Sequence, residues 1–270
     1  VIANSSIHIQ QLASNVFLEI ISSANGDKGS ARASSSEILT LLDALLSPVD
    51  AVRITALNAL IIFSSEILVK IKDNNVKFTL THRVFVAQFD TLEDCSTKAK
   101  QIFQQCHLEA EITLFPALLT DISTGNLALK DSVAGAIDSL LQKFPQEIPS
   151  ILNELIAIYR EKVKLSKPLV DNFGRAIVDT EIDSFEPRLI IAVVLRQIAP
   201  LINDKKLIEQ LAKFFVPEAL GDRNDNVKNQ MLEAGCALVN LHGKESIAML
   251  LNVFEKYLND APNNSENDSI

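Results

Sequence analysis

Apolar side chains recur at helical spacing along most of this chain. The clearest case follows Gly221, where Val227, Met231, Ala234 and Leu238 share one face of a 3.6-residue helix. Asp222 and Asp225 sit in the turn before it. The pattern predicts a helix over 226–242, paired with one over 205–220 and followed by another over 244–259. Such units bury their apolar faces only by stacking on one another.

The same reading extends towards the start of the chain. Ser47, Pro48, Val49 and Asp50 make a predicted turn, with Asp50 as the helix cap. Ile38, Leu41, Leu42, Leu45 and Leu46 line the helix before it, over 35–46. Val52, Ala56, Ala59, Leu60 and Phe63 line the helix after it. A second pair is predicted over 79–89 and 93–106, cored by Val84, Phe85, Phe89, Ala99, Ile102 and Phe103. A third begins over 112–119, which carries Pro116. It continues over 126–144 with Leu129, Val133, Ala136, Ile137, Leu140 and Leu141 inward. A fourth joins 148–163 to 185–202, and an unpaired helix over 5–23 opens the array. Gly and Pro number only 8 and 9 and Trp is absent, which favours helices over a strand-rich fold. The expected fold is all-α. It is an α-solenoid of about five antiparallel helix pairs plus terminal half-repeats, one array over 1–270.

Three segments break the pattern. Residues 25–34 are polar and rich in Gly and Ser, so a flexible loop is expected there. Residues 166–184 connect the two helices of the fourth pair, a long connection for a hairpin. Residues 261–270 read as a polar tail. Arg53, Lys130, Arg188 and Lys228 each fall early on a second helix. They are placed to reach turn acids such as Asp50 and Asp225 and to build an intramolecular ladder. Arg160, Lys162, Lys164 and Lys167, with Phe173 and Arg175 of the long connection, are the candidate contacts for a partner.

Charge narrows the partner class. Lys and Arg total 25 against 34 Asp and Glu, a formal charge of -9, which argues against direct nucleic-acid contact. Cys95, Cys106 and Cys236 form no CxxC pair and no disulfide framework, as suits a reducing cytosol or nucleus. His8, His82, His107 and His242 have no ligand-spaced companions. No nucleophile elbow or phosphate-cradling loop occurs. The expectation is a non-enzymatic protein without metal or cofactor. No apolar run approaches the roughly 20 residues of a membrane span. A start at Val1 and a polar end suggest a fragment of something larger.

The hairpins, several with a basic residue early on the second helix after a turn, are similar to HEAT repeats. A more specific likeness lies near the end of the chain. It covers Phe214-Phe-Val-Pro-Glu-Ala-Leu-Gly-Asp-Arg-Asn-Asp-Asn-Val-Lys228, Met231-Leu-Glu-Ala-Gly235 and Asn240-Leu-His-Gly-Lys-Glu245. It runs on through Leu250-Leu-Asn-Val-Phe-Glu-Lys-Tyr-Leu258 to Asn263. These residues resemble the general control non-derepressible translational activator family. The resemblance implies a giant cytoplasmic HEAT-repeat protein that binds ribosomes together with a partner ATPase. It also implies delivery of a starvation or collision signal to the general-control kinase, which phosphorylates the α subunit of initiation factor two. The chain would then lie just before or at the edge of the elongation-factor-three-like region. The family's kinase-contacting arginine belongs to a more C-terminal region, so no residue here takes that role. The alternative is a HEAT segment of a nuclear transport receptor.

Overall fold

The computed structural model describes residues 2–3, 6–24, 35–63, 71–164 and 183–260. The expected loop 25–34, the tail 261–270 and nearly all of the 166–184 connection lie outside them. Every regular element among the described residues is helical. The chain divides into two compact units, 1–122 with 126–140 and 123–125 with 141–270.

In the first unit, Ser35–Ala44 pairs with Asp50–Ile62, and Asn74–Ala87 pairs with Glu93–Gln105. Ile38, Leu42, Leu57, Leu60, Leu80, Val84, Ala99 and Ile102 form a dry centre, none more than 1% exposed. The opening helix, Ile7–Ala24, packs on the array without a hairpin partner of its own. It lies against Asp50–Ile62, packs the half-buried Phe17, Leu18 and Ile21 against the core, and places Ser14 Oγ 2.8 Å from Thr55 Oγ1.

Two helix starts differ from expectation. Val49, not Asp50, occupies the cap position of the 50–62 helix. Asp50 is the first helical residue, and its carboxylate binds Arg53 instead of a backbone amide. The helix expected over 79–89 begins at Asn74, because Asp73 caps it. Asp73 Oδ1 accepts from the amides of Asn75 (2.9 Å) and Val76 (3.4 Å). Phe89 and Phe103, expected in the core, are half-buried at its edge. Phe115–Thr124 starts after a 3₁₀ turn over Ile112–Leu114. Pro116 falls in its first turn, where a missing amide costs nothing. Lys130–Lys143 follows, with Val133, Ala136, Ile137 and Leu140 buried.

Gly125 ends the 115–124 helix with φ +74°, a left-handed cap position. Asn126 then caps the next turn, its Oδ1 accepting from the amide of Ala128 at 3.2 Å. A Cβ on Gly125 would stand 3.0 Å from Pro187 Cδ and 3.1 Å from Glu186 Cβ. Gly125→Ala is therefore expected to cost about 1–3 kcal/mol through strain and crowding. The measurement is urea denaturation, and an unchanged midpoint would show that the turn relaxes freely.

The second unit packs Ile148–Lys162, Phe185–Ile198, Lys205–Phe214 and Asp225–Asp260 together. Leu155, Ile191, Val194, Ile198, Val227 and Met231 are fully buried, and Tyr159 meets Phe214 edge-on at 5.1 Å. The helix expected over 205–220 stays α-helical only to Phe214 and widens to a π turn over Phe215–Ala219. Pro217 has no amide to donate, and the amide of Leu220 reaches back five residues to Phe215 O at 2.9 Å. The two helices expected over 226–242 and 244–259 are one continuous helix, Asp225–Asp260. Gly243 does not adopt the left-handed conformation that would end a helix there. A glycine inside a helix weakens it by about 1 kcal/mol without breaking it.

Candidate functional site

Among the described residues, each unit carries one buried arginine that joins a helix to the turn of the hairpin after it. In the first unit this is Arg53, at 6% exposure on the first turn of the 50–62 helix. Its Nε and Nη2 grip both oxygens of Asp90, at 2.8 and 3.1 Å. Its Nη2 also meets Asp50 Oδ1 at 2.9 Å, and its Nη1 donates to Ser47 O at 2.9 Å. Asp90 Oδ1 in turn accepts from the amide of Leu92 at 2.9 Å. One carboxylate thus holds the guanidinium and shapes its own turn.

The second unit repeats this pattern around Arg188, which is 0% exposed. Its Nε and Nη2 hold Asp222 at 2.8 and 2.9 Å, and its Nη1 and Nη2 hold Asp183 at 2.6 and 3.1 Å. The carbonyls of Lys162 and Ser184 accept from Nη1 at 2.9 and 3.1 Å. Asp222 Oδ1 accepts from the amide of Asn224 at 2.8 Å, as Asp90 does from Leu92, and Asp222 Oδ2 accepts from the Tyr159 hydroxyl at 2.7 Å. Arg223 lies at the rim, donating to Asp183 Oδ1 at 2.8 Å and to Val163 O.

The charges follow this geometry. Burial works against the ionised form of Asp222, but Arg188, the Asn224 amide and the Tyr159 hydroxyl outweigh it and hold the carboxyl below the usual range. Tyr159 is pushed upward by its own burial and then by Asp222. Asp183 is held down to about 2, chiefly by the hydrogen bond from Arg188, against some desolvation and with Arg223 adding to it. An unfolded Asp titrates at about 3.9. Asp183 therefore contributes stability that is complete above about pH 4 and is lost as pH falls through about 2. Asp183→Asn is expected to flatten the fall in thermal midpoint between about pH 5 and pH 2.5. Identical slopes for variant and parent would separate Asp183 from the folding equilibrium.

The other expected ladder cations sit differently. Lys130 Nζ pairs with its chain neighbour Asp131 at 2.9 Å, and Lys228 Nζ with Asp225 at 2.7 Å. Neither pair crosses between hairpins, and Asp225 binds the cation of its own turn. Sequence reading passed over Asp90 as a ladder acid; Asp222 was expected as a turn acid for capping or ladder salt bridges, and it takes both Arg188 and the Asn224 amide. For Asp90 the available signal was its position two residues before an amide that a turn needs capped. A third buried acid, Asp121, was also missed. It lies between His82 Nε2 at 2.8 Å and Arg83 Nη1 at 2.7 Å. These partners hold its carboxyl low in spite of burial.

Of the candidate partner contacts, Arg160 is engaged inside the chain, with Nε and Nη2 on Glu218 at 2.7 and 2.6 Å. Lys162 Nζ lies 3.8 Å from Glu161, and Lys164 is exposed. Lys167, Phe173 and Arg175 lie outside the described residues. Arg160, Glu218 and Arg223 rim an open cleft of about 280 Å³ floored by Tyr159 and Arg188. Its charged groups are paired with one another, and it is smaller than the roughly 300–1,000 Å³ of ordinary ligand sites. No group of three metal-binding side chains occurs among the described residues. No helix among them is long and apolar enough to cross a membrane.

Short helical hairpins, with a buried arginine reaching from one second helix to the acid of the following turn, define the HEAT-repeat α-solenoid class. The family profile described as "Stalled ribosome sensor GCN1, HEAT repeats" matches residues 71–270, and the chain belongs to that family. It is similar to Stalled ribosome sensor GCN1 of Homo sapiens, at 32% identity over 270 residues, covering 100% of this chain and 10% of that protein. It is also similar to eIF-2-alpha kinase activator GCN1 of Saccharomyces cerevisiae, at 27% identity over 242 residues, covering 85% of this chain and 9% of that protein. Protein ILITYHIA of Arabidopsis thaliana is 26% identical over 154 residues, covering 57% of this chain and 5% of that protein. The chain spans about a tenth of the length of the curated relatives it matches. No solved structure matches. Membership of this family replaces the transport-receptor alternative.

Proposed function

We propose that this chain is a non-catalytic scaffold segment of a ribosome-associated regulator of translation, acting in the cytoplasm. The whole protein would sense stalled or collided ribosomes and promote activation of the kinase of initiation factor two α. Ribosome, kinase and partner ATPase are then contacted mainly through other regions, and this segment sets their separation. Family membership supports the reading, because relatives carry the names stalled ribosome sensor and eIF-2-alpha kinase activator. The spacing role is carried by the disposition of charge. Arg53 and Arg188 are buried in ion pairs, Arg160 is bound to Glu218, and the net charge is -9. These three arginines are engaged within the chain and are not spent on ribosomal RNA.

The test compares the full-length protein with and without residues 1–270, by ribosome co-sedimentation and by phosphorylation of initiation factor two α. The expected result is that the deletion protein still pellets with ribosomes but no longer activates the kinase. Loss of pelleting on deletion, with salt-resistant pelleting of the 270-residue chain alone, would overturn the spacer role. Arg160, Lys162, Lys164, Lys167, Phe173 and Arg175 would then be the positions to substitute. Normal pelleting and normal kinase activation without the segment would overturn the function itself.

A further inference from the structure

Arg188 stands at the meeting point of three pieces of backbone. Lys162 and Val163 end the 148–162 helix, Asp183 and Ser184 begin the 185–198 helix, and Asp222 and Arg223 form the turn before the last helix. The first two are the two stems of the 165–182 connection. Arg188 Nη1 donates to a carbonyl on each stem, Lys162 O and Ser184 O, and also holds Asp183. Arg223 repeats the bridge outside it, from Val163 O to Asp183. The inner layer is dry, with the side chains of Arg188 and Asp222 at 0% and 1% exposure. The outer layer is wet, with Arg223 and Asp183 at 40% and 25%.

We infer that Arg188 is a clasp that locks the two helices flanking 165–182 in register without help from that connection. Three observations carry this. The guanidinium binds both stems directly, so the stems are held together by side chain as well as by chain. Asp222 ties that pair to the following turn, and Tyr159 from the upstream helix binds the same carboxylate. The flanking helices also pack on each other, and Leu155, Ile191 and Val194 on them are fully buried. The chain between Lys164 and Asp183 is therefore free to vary in length or sequence, or to be cut, without dismantling the hairpin. This inference does not rest on the ribosome reading.

The experiment uses the whole 270-residue chain with a protease site, flanked by Gly and Ser, inserted between Asn172 and Phe173. The protein is folded, cut to completion and passed over a sizing column. The cut parent is expected to elute as one species at the position of the uncut chain. Its thermal midpoint is expected within about 4 °C of the uncut one. The cut Arg188→Met chain is expected to separate on dilution, with an affinity between halves at least about a hundredfold weaker. Circular dichroism of uncut Arg188→Met checks that it folds. If it does not, Asp183→Asn with Arg223→Gln, which leaves Asp222 paired to Arg188, replaces it and is expected to weaken the cut pair about tenfold. Separation of the cut parent would overturn the clasp. So would retention of both variants as tightly as the parent, or resistance of the inserted site to cleavage, which would place the connection inside the packed body.

Discussion

Arg188→Met lowers the unfolding free energy of the chain by about 3–5 kcal/mol, read from urea denaturation. The size comes less from the lost attraction than from what is left behind. Asp222 stays 1% exposed with its charge and keeps only the Tyr159 hydroxyl and the Asn224 amide. Taking a carboxylate out of water is tolerable when a guanidinium meets both its oxygens, and costly when none does. The carbonyls of Lys162 and Ser184 lose their donor as well. The same account predicts the remedy. Adding Asp222→Leu and Tyr159→Phe to Arg188→Met removes the stranded charge and the orphaned hydroxyl. The triple variant is then more stable than the single one, because well-packed apolar groups can replace a buried ion network without loss. A triple variant weaker than Arg188→Met would show that the attraction itself dominates. A loss below about 1 kcal/mol in Arg188→Met would show that water reaches Asp222.

Leu140→Ala and Ile137→Ala are each expected to cost about 2–5 kcal/mol, also in urea. Both side chains are buried, at 1% and 0% exposure, on the inner face of the 130–143 helix. Each truncation removes apolar area from the core and leaves a void that fixed helix backbones fill poorly. Asp131, about two turns earlier on the outer face, serves as the control, and Asp131→Ala is expected to change stability by less than about 0.5 kcal/mol. Near-zero losses for both core variants would mean that the helix is rotated from the phase described.

Helix phase was legible because it depends on neighbours three and four residues apart. Leu129, Val133, Ala136, Ile137, Leu140 and Leu141 are all buried as their spacing requires, and so are Val227, Met231, Ala234 and Leu238. Helix ends were less legible, because local competition decides them. Asp50 had the residue type of a cap, yet the arginine three residues on claimed its carboxylate. Asp73 began a helix where few apolar residues advertised one. The expected division between 226–242 and 244–259 is absent, since a glycine ends a helix only where the chain turns left-handed and Gly243 does not. The acids of the arginine network were the least legible. Arg53 finds Asp90 across 37 residues and Arg188 finds Asp222 across 34, separations at which no periodic rule selects one carboxylate among many. The basic half of each pair was visible because it recurs at one place in the repeat.

Heat acts unevenly on the forces that hold these units together. Hydration of charged groups becomes less favourable as temperature rises, so the penalty for burying Arg53, Arg188 and their carboxylates shrinks. The return per unit of apolar area levels off over the same range. The arginine clusters therefore take a growing share of the cohesion as the protein warms. Near its melting point, Arg188 counts for more relative to the leucines around it than it does at room temperature.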